Sequence, residues 1–507
     1  MKLSKQIHKV INFVSEKLKN RNLFRFLISV FIPVLVFIYL LIRYQYINSE
    51  IPFWYTKLWG DYQLAPKSAL FFIPSTALAI SLVGFALVLL NKYYIQFFDD
   101  IIWMVVLFCN IFLAGSVFSI IQEASVPFKP LINPLYLNLV PYFIVSVLLV
   151  SLVMPYFIDY AQKKKLVTNP QIHIHPGMIL QSPSARGGGF VYSVVFLLVS
   201  FIFVGFKSEF IGLYLSVLMV AILGLIDDFQ NTHPSSSYRV LEKPLLRLLL
   251  LFLAVLPVVL SGVAINTVSN PFGGMINLNI FQLNVLGSIL PLIPVLLTAL
   301  WVVWLMNVLS WSNGVDGQYA GIVGIASIMV ALLALRFKDL QPYHIEIATL
   351  AVISAGAAFG SVRFNWHPSQ IMWGFGAVSA GLVIASLAIL AKAKIAVSVL
   401  IILIPFLDAF VTVVRRVISG RNPLKGDSGH LHHILLNRGW SVSKVALFYW
   451  GATALFGLIG FLTPEKDVFR LTFIIGGVVA FLIILLNVKI VRKSHSNNDT
   501  TTIITQD

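Results

Sequence analysis

Two adjacent carboxylates, Asp227 and Asp228, stand at the end of the apolar run AILGLIDDFQN. Charged side chains near lipid are costly, and an acid at the centre of a bilayer costs roughly 2.5 kcal/mol or more. Neighbouring carboxylates also repel each other unless a cation or a shared proton holds them, which makes them plausible ligands for Mg2+. Two interpretations follow, a metal or phosphate site and an ordinary helix end at which the chain reaches water.

A polar stripe follows in NVLSWSNGVDGQYAG, where four polar residues recur at every third position: Asn307, Ser310, Asn313 and Asp316. That spacing predicts one shared face of a helix or helical turn. The neighbouring glycines allow tight turns or a close approach of backbone to a ligand. We expect this stripe to bind metal or phosphate rather than to pack.

Histidines and arginines supply hydrogen-bond donors in two further segments. Three histidines in GHLHH precede an arginine: His430, His432, His433 and Arg438. Imidazole and guanidinium N–H groups can donate to phosphate oxygens, and neutral imidazoles can also ligate a transition metal. The alternative is a solvated loop of spare histidines. In SPSARGGGF, Arg186 precedes three glycines that could offer backbone N–H groups to an anion, or could let membrane helices pack closely.

Two smaller features complete the set of polar candidates. Asp408 lies within the apolar span PFLDAFVTVVRR, where a functional or paired role and a structural hydrogen bond are both plausible. The segment RFNWHPSQ places His367 in a short loop that is either part of a site or an ordinary connection.

Membrane helices are the elements that must position these residues. The chain has 507 residues, of which 58% are hydrophobic and only 11% charged, whereas soluble proteins carry about a quarter charged residues. The net charge of +16 is explained by basic cytoplasmic loops or a phosphate-bearing substrate, so we do not expect nucleic acid. The single Cys109 leaves no disulfide within one chain. We predict an all-α polytopic membrane protein.

About fourteen apolar spans recur along the sequence: 24–43, 69–90, 99–121, 136–158, 187–206, 209–226, 245–264, 288–308, 318–335, 345–362, 371–391, 396–416, 443–463 and 469–488. Lys and Arg concentrate in the leader, in two long loops and in the tail, all on one face if the spans alternate. Both termini are therefore predicted to be cytoplasmic. The polar motifs fall on that same face, and the outer segment 268–284 is expected to form a short hairpin.

A composition shift near residue 160 divides the chain, because the first spans carry almost no polar motif. We predict five parts: a cytoplasmic amphipathic leader at 1–26, extra transmembrane helices at 27–134, a transferase-like membrane core at 135–463, an additional helix at 464–490 and a disordered tail at 491–507.

These motifs, in order across roughly 135–463, resemble the polyprenyl-phosphate N-acetylhexosamine-1-phosphate transferases. This is glycosyltransferase family 4, which includes phospho-N-acetylmuramoyl-pentapeptide transferase. HPGMILQSPSARGGG is similar to the family's His-Pro…Pro-x-x-Arg-x-Gly-Gly segment, and GLIDDF to its Gly-x-x-Asp-Asp motif. NVLSWSNGVDG resembles Asn-x-x-Asn-x-x-Asp-Gly-x-Asp-Gly. PFLDAFVTVVRR with GHLHHILLNRGWS is close to the branch that uses UDP-N-acetylglucosamine-like donors.

The resemblance implies a core of ten or eleven helices and a phosphotransferase of the bacterial inner membrane with its active site facing the cytoplasm. It would transfer a sugar-1-phosphate from a UDP-sugar to polyprenyl phosphate, releasing UMP, as the first membrane step of cell-envelope glycan synthesis such as lipopolysaccharide or teichoic acid. Mg2+, or Mn2+ in its place, would assist. Relatives often dimerise, so a homodimer is one expectation for the oligomeric state.

Site roles carry over position by position. The resemblance implies that Asp227 orients or deprotonates the lipid phosphate and that Asp228 and Asp316 hold the metal. Asn307 and Asn313 would line the nucleotide site.

Positively charged and imidazole groups would bind the phosphates. The resemblance places His430, His432 and His433 on the diphosphate, with Arg438 nearby. Arg186 would lie at the edge of the entrance for the lipid phosphate.

Three positions depart from the family pattern. Ser310 replaces an Asn, Asn313 replaces an Asp, and in PSQIMWGFGAVSAG Phe375 stands where the family carries a main Mg2+ ligand, Asp. A catalytically impaired relative that binds lipid phosphate or nucleotide sugar as a scaffold or regulator is therefore the alternative function. A secondary transporter would show paired motifs in two repeated halves, and the sequence has none.

Overall fold

The computed structural model describes residues 20–54, 63–91, 96–124, 134–170, 183–233, 241, 243–270, 274–285, 288–337, 339–392, 395–420, 422, 429–464 and 467–501. Most of the predicted leader, the HPGMILQ segment and the last six residues of the predicted tail lie outside these residues. The chain divides into two compact units, Met1–Leu148 and Leu149–Asp507. The predicted part boundaries remain predictions.

The first unit is helical because its long apolar runs satisfy their backbone hydrogen bonds internally. Its helices are α1 Asn20–Arg43, α2 Phe72–Leu90, α3 Gln96–Ala124 and the start of α4, Pro134–Lys163. A short hairpin pairs β1 Glu50–Pro52 with β2 Leu64–Pro66. Buried Asn110 links the three helices, since its Nδ2 donates to Ser29 O at 2.7 Å and to Ser81 Oγ at 2.8 Å.

The second unit contains the remaining helices: α5 Gly188–Phe203, α6 Ser208–Thr232, α7 Pro244–Leu260, α8 Leu292–Trp311, α9 Gln318–Ala334, α10 Pro342–Asn365, α11 Val378–Leu390, α12 Ile395–Ile401, α13 Leu403–Ile418, α14 Leu431–Asn437, α15 Val442–Leu462 and α16 Val468–Thr501. Helix α11 forms the centre of this unit and is buried on nearly all sides. Helices α9 and α10 are rich in Ala, Gly and Ser, which allow membrane helices to approach closely.

Fourteen apolar helices or helix pairs match the fourteen predicted spans. In the part of the chain that the structure describes, nine helices are long and apolar enough to cross a membrane. Helices α12 and α13 are long and apolar enough only as a pair and are bent by 94° at the break between them, and four shorter apolar helices account for the rest. The all-α polytopic prediction is confirmed, whereas the number that cross and the positions of the termini remain predictions.

Two hairpins occupy the predicted outer segment between α7 and α8. One pairs β5 Thr267–Ser269 with β6 Met275–Asn277, and the other pairs β7 Gln282–Val285 with β8 Ser288–Pro291. The expected hairpin at 268–284 is therefore present, and a second one follows it.

A three-stranded sheet lies beside the polar end of the helices. β4 Ser184–Arg186 pairs antiparallel with β3 Val167–Thr168 and parallel with β9 Ile371–Met372. Arg186 stands opposite Met372 in this sheet. The sheet thus joins the start of α5 to the segment that precedes α11, although these segments lie far apart in sequence.

Candidate active site

The carboxylate pair lies in the last turns of α6, with both residues buried. Asp227 accepts a hydrogen bond from Asn231 Nδ2 at 2.6 Å, one helical turn further on. Its other oxygen lies 3.4 Å from Arg247 Nε at the start of α7. Asp227 is therefore a paired group at a helix end rather than a carboxylate that simply reaches water.

Asp228 is completely buried and has two partners from distant parts of the chain. Arg186 Nη1 lies 3.4 Å from Asp228 Oδ1, and the backbone N–H of Phe375 donates to the same oxygen at 3.0 Å. Asp228 Oδ2 is buried and has no hydrogen-bond partner among the described residues. A buried acceptor without a partner is costly, so a proton, a hydrogen-bond donor or a cation would stabilise this oxygen.

Glycine allows the backbone of residues 374–377 to pass over Asp228. Gly374 has φ +65°, and a Cβ there would overlap the Asp228 carboxylate. Further along, a Cβ on Gly189 would overlap the Gly376 backbone, and one on Gly224 would lie 2.7 Å from Gly376 Cα. The glycines after Arg186 therefore serve close packing, and the Gly189 N–H donates to the protein, to Trp373 O at 3.0 Å.

Phe375 occupies the position at which the family pattern has a metal-binding Asp. Its backbone N–H bonds Asp228, and the Arg247 guanidinium lies over its ring, 5.0 Å from the centroid. The ring quadrupole attracts a guanidinium in this position. Arg247 therefore contacts both Asp227 and the residue that departs from the family pattern.

The polar stripe is divided between a helix and the turns that follow it. Helix α8 ends at Trp311, so Asn307 and Ser310 are helical whereas Asn313 and Asp316 are not. Asn307 Nδ2 donates to Val303 O within its own helix, and Asn313 Nδ2 donates to Gly374 O at 3.4 Å. The chain turns at Ser312, so the stripe spans the end of α8 and the turns that follow it. Only Asn313 joins the segment that covers Asp228.

Asp316 pairs with the loop that follows α10. Its Oδ2 accepts from His367 Nδ1 at 2.8 Å and from the Ser369 N–H at 3.2 Å. The next residue is held to the end of α10, since the Gly317 N–H donates to Asn365 Oδ1 at 3.2 Å. The loop RFNWHPSQ is therefore part of the polar end.

The histidine cluster is a short helix rather than a solvated loop. Asp408 accepts from His430 Nδ1 at 3.0 Å and from the Leu431 N–H at 2.7 Å, which supports the start of α14. His432 is buried and packs so closely on Gly314 that a Cβ there would overlap its ring. His430 and His432 stack with ring centroids 5.6 Å apart, and His433 follows at 4.3 Å from His432.

Burial sets the charge state of His432. Burial lowers its pKa well below the usual 6.5, and the neighbouring His433 and His430 act in the same direction. His432 is therefore neutral near pH 7, with a buried Nδ1 that has no hydrogen-bond partner among the described residues. A neutral imidazole can donate one hydrogen bond to a phosphate oxygen, whereas a charged one could donate two.

Arg438 lies apart from this arrangement. It is exposed, and its Nη2 donates to Leu486 O in α16 at 3.4 Å. The structure thus brings the carboxylate pair, Arg186 and Asn313 together around residues 374 and 375. Asp316 lies in the same turns as Asn313, and His432 packs against Gly314 in those turns. Asn307 bonds within α8, and Arg438 bonds to α16.

The donor groups fit a resident Mg2+ poorly. Among the described residues no group of three or more His, Cys, Asp or Glu side chains could hold a metal ion. Asp228 Oδ1 is engaged by Arg186 and Phe375, and Asp316 Oδ2 is engaged by His367 and Ser369. Mg2+ usually binds through one or two carboxylates together with waters and substrate phosphates. In the absence of substrate, Asp228 Oδ2 is the one buried carboxylate oxygen without a hydrogen-bond partner among the described residues.

Several site residues escape sequence reasoning. Arg247 and Thr168, whose Oγ1 accepts from Arg186 Nε, stand in segments without a recognisable motif. Gly374 precedes Phe375, and no motif in the sequence distinguishes it. The basic residue opening an apolar helix soon after the Asp pair is the one signal that pointed to Arg247.

The fold and the polar end define a multi-pass membrane protein with a buried carboxylate pair that faces two arginines. Residues 210–392 match glycosyl transferase family 4, and this match confirms the resemblance recognised from the motifs. The matched residues include both carboxylates, the 307–317 segment and Phe375, but neither Arg186 nor the histidine cluster.

Curated bacterial relatives support the same family. The chain is 26% identical over 258 residues to decaprenyl-phosphate N-acetylglucosaminephosphotransferase of Mycolicibacterium smegmatis, covering 46% of this chain and 61% of the relative. It is 30% identical over 168 residues to phospho-N-acetylmuramoyl-pentapeptide-transferase of Moorella thermoacetica, covering 32% of this chain and 51% of the relative. A probable undecaprenyl-phosphate N-acetylglucosaminyl 1-phosphate transferase of Bacillus subtilis matches at 25% over 199 residues, or 38% and 54%. The chain thus spans between half and three-fifths of these relatives.

Proposed function

We propose that this protein transfers a sugar-1-phosphate, N-acetylhexosamine-1-phosphate, from a UDP-sugar to polyprenyl phosphate. The products would be polyprenyl-diphospho-sugar and UMP, in the first membrane step of cell-envelope glycan synthesis. The names of the relatives support the lipid acceptor and the reaction class. The UDP-sugar donor rests on the resemblance of the motifs.

The observation that carries this proposal is the buried Asp228 beneath residues 374 and 375. Its Oδ2 has no partner among the described residues, and Arg186 and Arg247 stand at the adjacent carboxylates. Phosphoryl transfer requires positioning and positive charge more than covalent chemistry from the protein. Adjacent carboxylates and guanidiniums at the end of a membrane helix suit a lipid phosphate that reaches the site from the bilayer.

The protein would lie in the inner membrane. The positive-inside pattern supports an inner-membrane protein whose site faces the cytoplasm, where nucleotide sugars are available. The lipid would approach sideways and the donor from water. The assay below contains Mg2+, with Mn2+ as a second condition, because the resemblance implies a divalent ion. A homodimer remains a prediction that size-exclusion chromatography with light scattering would test.

The decisive experiment measures UMP release. The full chain, purified into lipid nanodiscs, is incubated with undecaprenyl phosphate, Mg2+ and each of a panel of UDP-sugars. UMP is expected with at least one UDP-N-acetylhexosamine, and only when lipid phosphate is present. The Asp228→Asn variant should lose at least about 100-fold in rate, because the Arg186 guanidinium loses its charged partner.

A matched control carries the same substitution outside the site. Asp159 is exposed and pairs with Lys163 one turn away, so Asp159→Asn should release UMP at the wild-type rate. Binding of lipid phosphate or nucleotide without UMP release by any donor would contradict the transferase proposal. Undiminished release by Asp228→Asn would contradict the role of Asp228.

A further inference from the structure

We infer that this protein binds the phosphate monoester of its lipid substrate between Arg186 and Arg247 without a resident divalent cation, and that Phe375 holds Arg247 in place for this purpose. The inference rests on the proposed function for the identity of the lipid. It concerns how the phosphate is held, and it assigns Arg247 and Phe375 to the site.

Each carboxylate of the pair has a cation of the protein beside it. Arg247 Nε lies 3.4 Å from Asp227 Oδ1, and Arg186 Nη1 lies 3.4 Å from Asp228 Oδ1. A divalent cation placed at Asp228 would face Arg186 at close range, and like charges at short distance repel strongly where water is excluded.

The two arginines each keep an unused N–H donor. Arg247 uses Nε and Nη2 on Leu241 O, and Arg186 uses Nε on Thr168 and Nη1 on Asp228. Within the described residues, Arg247 Nη1 and Arg186 Nη2 have no hydrogen-bond partner. Their side chains are 33% and 20% exposed, so a ligand can reach them. Guanidinium groups are well suited to phosphate oxygens.

Phe375 packs against one of these arginines. An Asp there would supply an oxygen ligand for a metal, whereas the phenylalanine ring lies under the Arg247 guanidinium at 5.0 Å. The side chain thus positions a cation of the protein instead of binding a free one. The backbone N–H of Phe375 still donates to Asp228. Phenylalanine in place of aspartate therefore changes the side-chain chemistry without removing this backbone contact.

Binding of a short-chain substrate analogue tests the inference independently of turnover. Farnesyl phosphate is titrated into the full chain in nanodiscs by calorimetry, once in EDTA and once in Mg2+. We expect the same Kd in both. Arg247→Gln should weaken binding about tenfold or more, through the loss of a charged donor. Phe375→Leu, which keeps the apolar volume, should weaken it about 3-fold through the loss of the ring face.

A metal-binding measurement supplies the complementary test. Electron paramagnetic resonance with Mn2+ as the probe should show only free ion with the wild-type chain, and bound ion with Phe375→Asp. Farnesyl phosphate binding by Phe375→Asp should become tighter in Mg2+ than in EDTA. The control Arg43→Gln removes another cation from an aromatic ring, 6.0 Å from the Tyr39 centroid in the first unit, and should leave both measurements unchanged.

Two competitors identify the source of the phosphate. Displacement of labelled farnesyl phosphate by unlabelled farnesyl phosphate but not by inorganic phosphate assigns the site to a lipid headgroup. Displacement by both still supports a phosphate site. Equal displacement by farnesol, which lacks the phosphate, would show that the site recognises only the chain and would overturn the inference.

Other results would also overturn it. These are loss of wild-type farnesyl phosphate binding in EDTA, one tightly bound Mn2+ per wild-type chain, and unchanged affinity in Arg247→Gln. The outcome is separable from that of the proposed function. Metal-independent binding without UMP release would refute only the transferase proposal, whereas UMP release with metal-dependent lipid binding would refute only this inference.

Discussion

At the scale of single residues, the site depends on a carboxylate that is tightly enclosed by its neighbours. Asp228 is enclosed by a guanidinium, a backbone N–H and the Cα of a glycine. Its Oδ1 is satisfied and its Oδ2 has no partner among the described residues. The bonds to Oδ1 fix the orientation of the carboxylate. Small displacements of the Asp228 side chain should therefore affect function before they affect folding.

Substitution of Gly374 tests this enclosure. Gly374→Ala adds a Cβ that overlaps the Asp228 carboxylate, and we expect UMP release to fall about 100-fold because misplacement by about 1 Å has such an effect. Gly274→Ala is the matched control, because Gly274 also has positive φ, +82° against +65°, but open space around its Cβ position. Both variants share the backbone strain, so equal losses of activity would contradict the proposed crowding.

The buried imidazole of His432 predicts a dependence of stability on pH. Its pKa is lowered in the folded protein, so below about pH 6.5 the unfolded chain binds a proton that the folded chain does not. The free energy of unfolding should therefore fall with acidification, by up to about 1.4 kcal/mol per pH unit for one proton. The thermal midpoint should decrease from pH 7.5 to 5.5, and His432→Gln should reduce that decrease. Identical pH profiles would exclude this contribution.

At the scale of elements, backbone contacts between glycines hold the polar segments together. Gly189 in α5 and Gly224 in α6 both pack against Gly376, which precedes α11. The parallel pairing of β4 with β9 fixes the same neighbourhood from the other side. The site is therefore positioned by rigid backbone rather than by flexible side chains.

A larger residue at this crossing should separate the elements. In Gly189→Ala the Cβ overlaps the Gly376 backbone, which cannot rotate away, so we expect a loss of about 3 kcal/mol and a lower thermal midpoint in detergent. Gly451→Ala in α15 is the control, since nothing lies within 4 Å of its Cβ position. That variant should be neutral or slightly stabilised, and equal midpoints for the two variants would argue against the packing role.

At the scale of the whole molecule, orientation in the membrane decides which substrates can reach the site. The charge pattern predicts a cytoplasmic position for the loop after α4 and an outer position for the hairpins between α7 and α8. Both regions offer exposed residues, Lys164 and Ile280. In each unit the apolar helices present exposed Leu, Ile, Val and Phe side chains, as lipid contact requires.

Cysteine labelling tests this orientation. In a Cys109→Ser background, Ile280→Cys should react with a membrane-impermeant maleimide added to spheroplasts, whereas Lys164→Cys should react only after permeabilisation. The reverse pattern would place the carboxylate pair on the outer face and contradict access by a cytoplasmic nucleotide sugar.

The sequence by itself determined the all-α membrane class, the positions of the apolar segments and the resemblance to glycosyl transferase family 4, and it named most of the charged candidate residues. Hydropathy and motif order are local properties, and long apolar runs can satisfy their backbone groups in lipid only as helices. Asp227, Asp228 and Asn313 could be named in this way because each belongs to a short motif.

Only the tertiary structure decided which of these groups meet. Arg186, Asp228, Arg247 and Phe375 come from four separate elements, and no local pattern records that a parallel strand pair and three glycines bring them together. The same packing directs Arg438 towards α16 and pairs Asp408 with His430. Close contact between distant segments depends on the shapes of all the intervening helices, and for that reason the partner of each carboxylate could not be inferred from its neighbours in the chain.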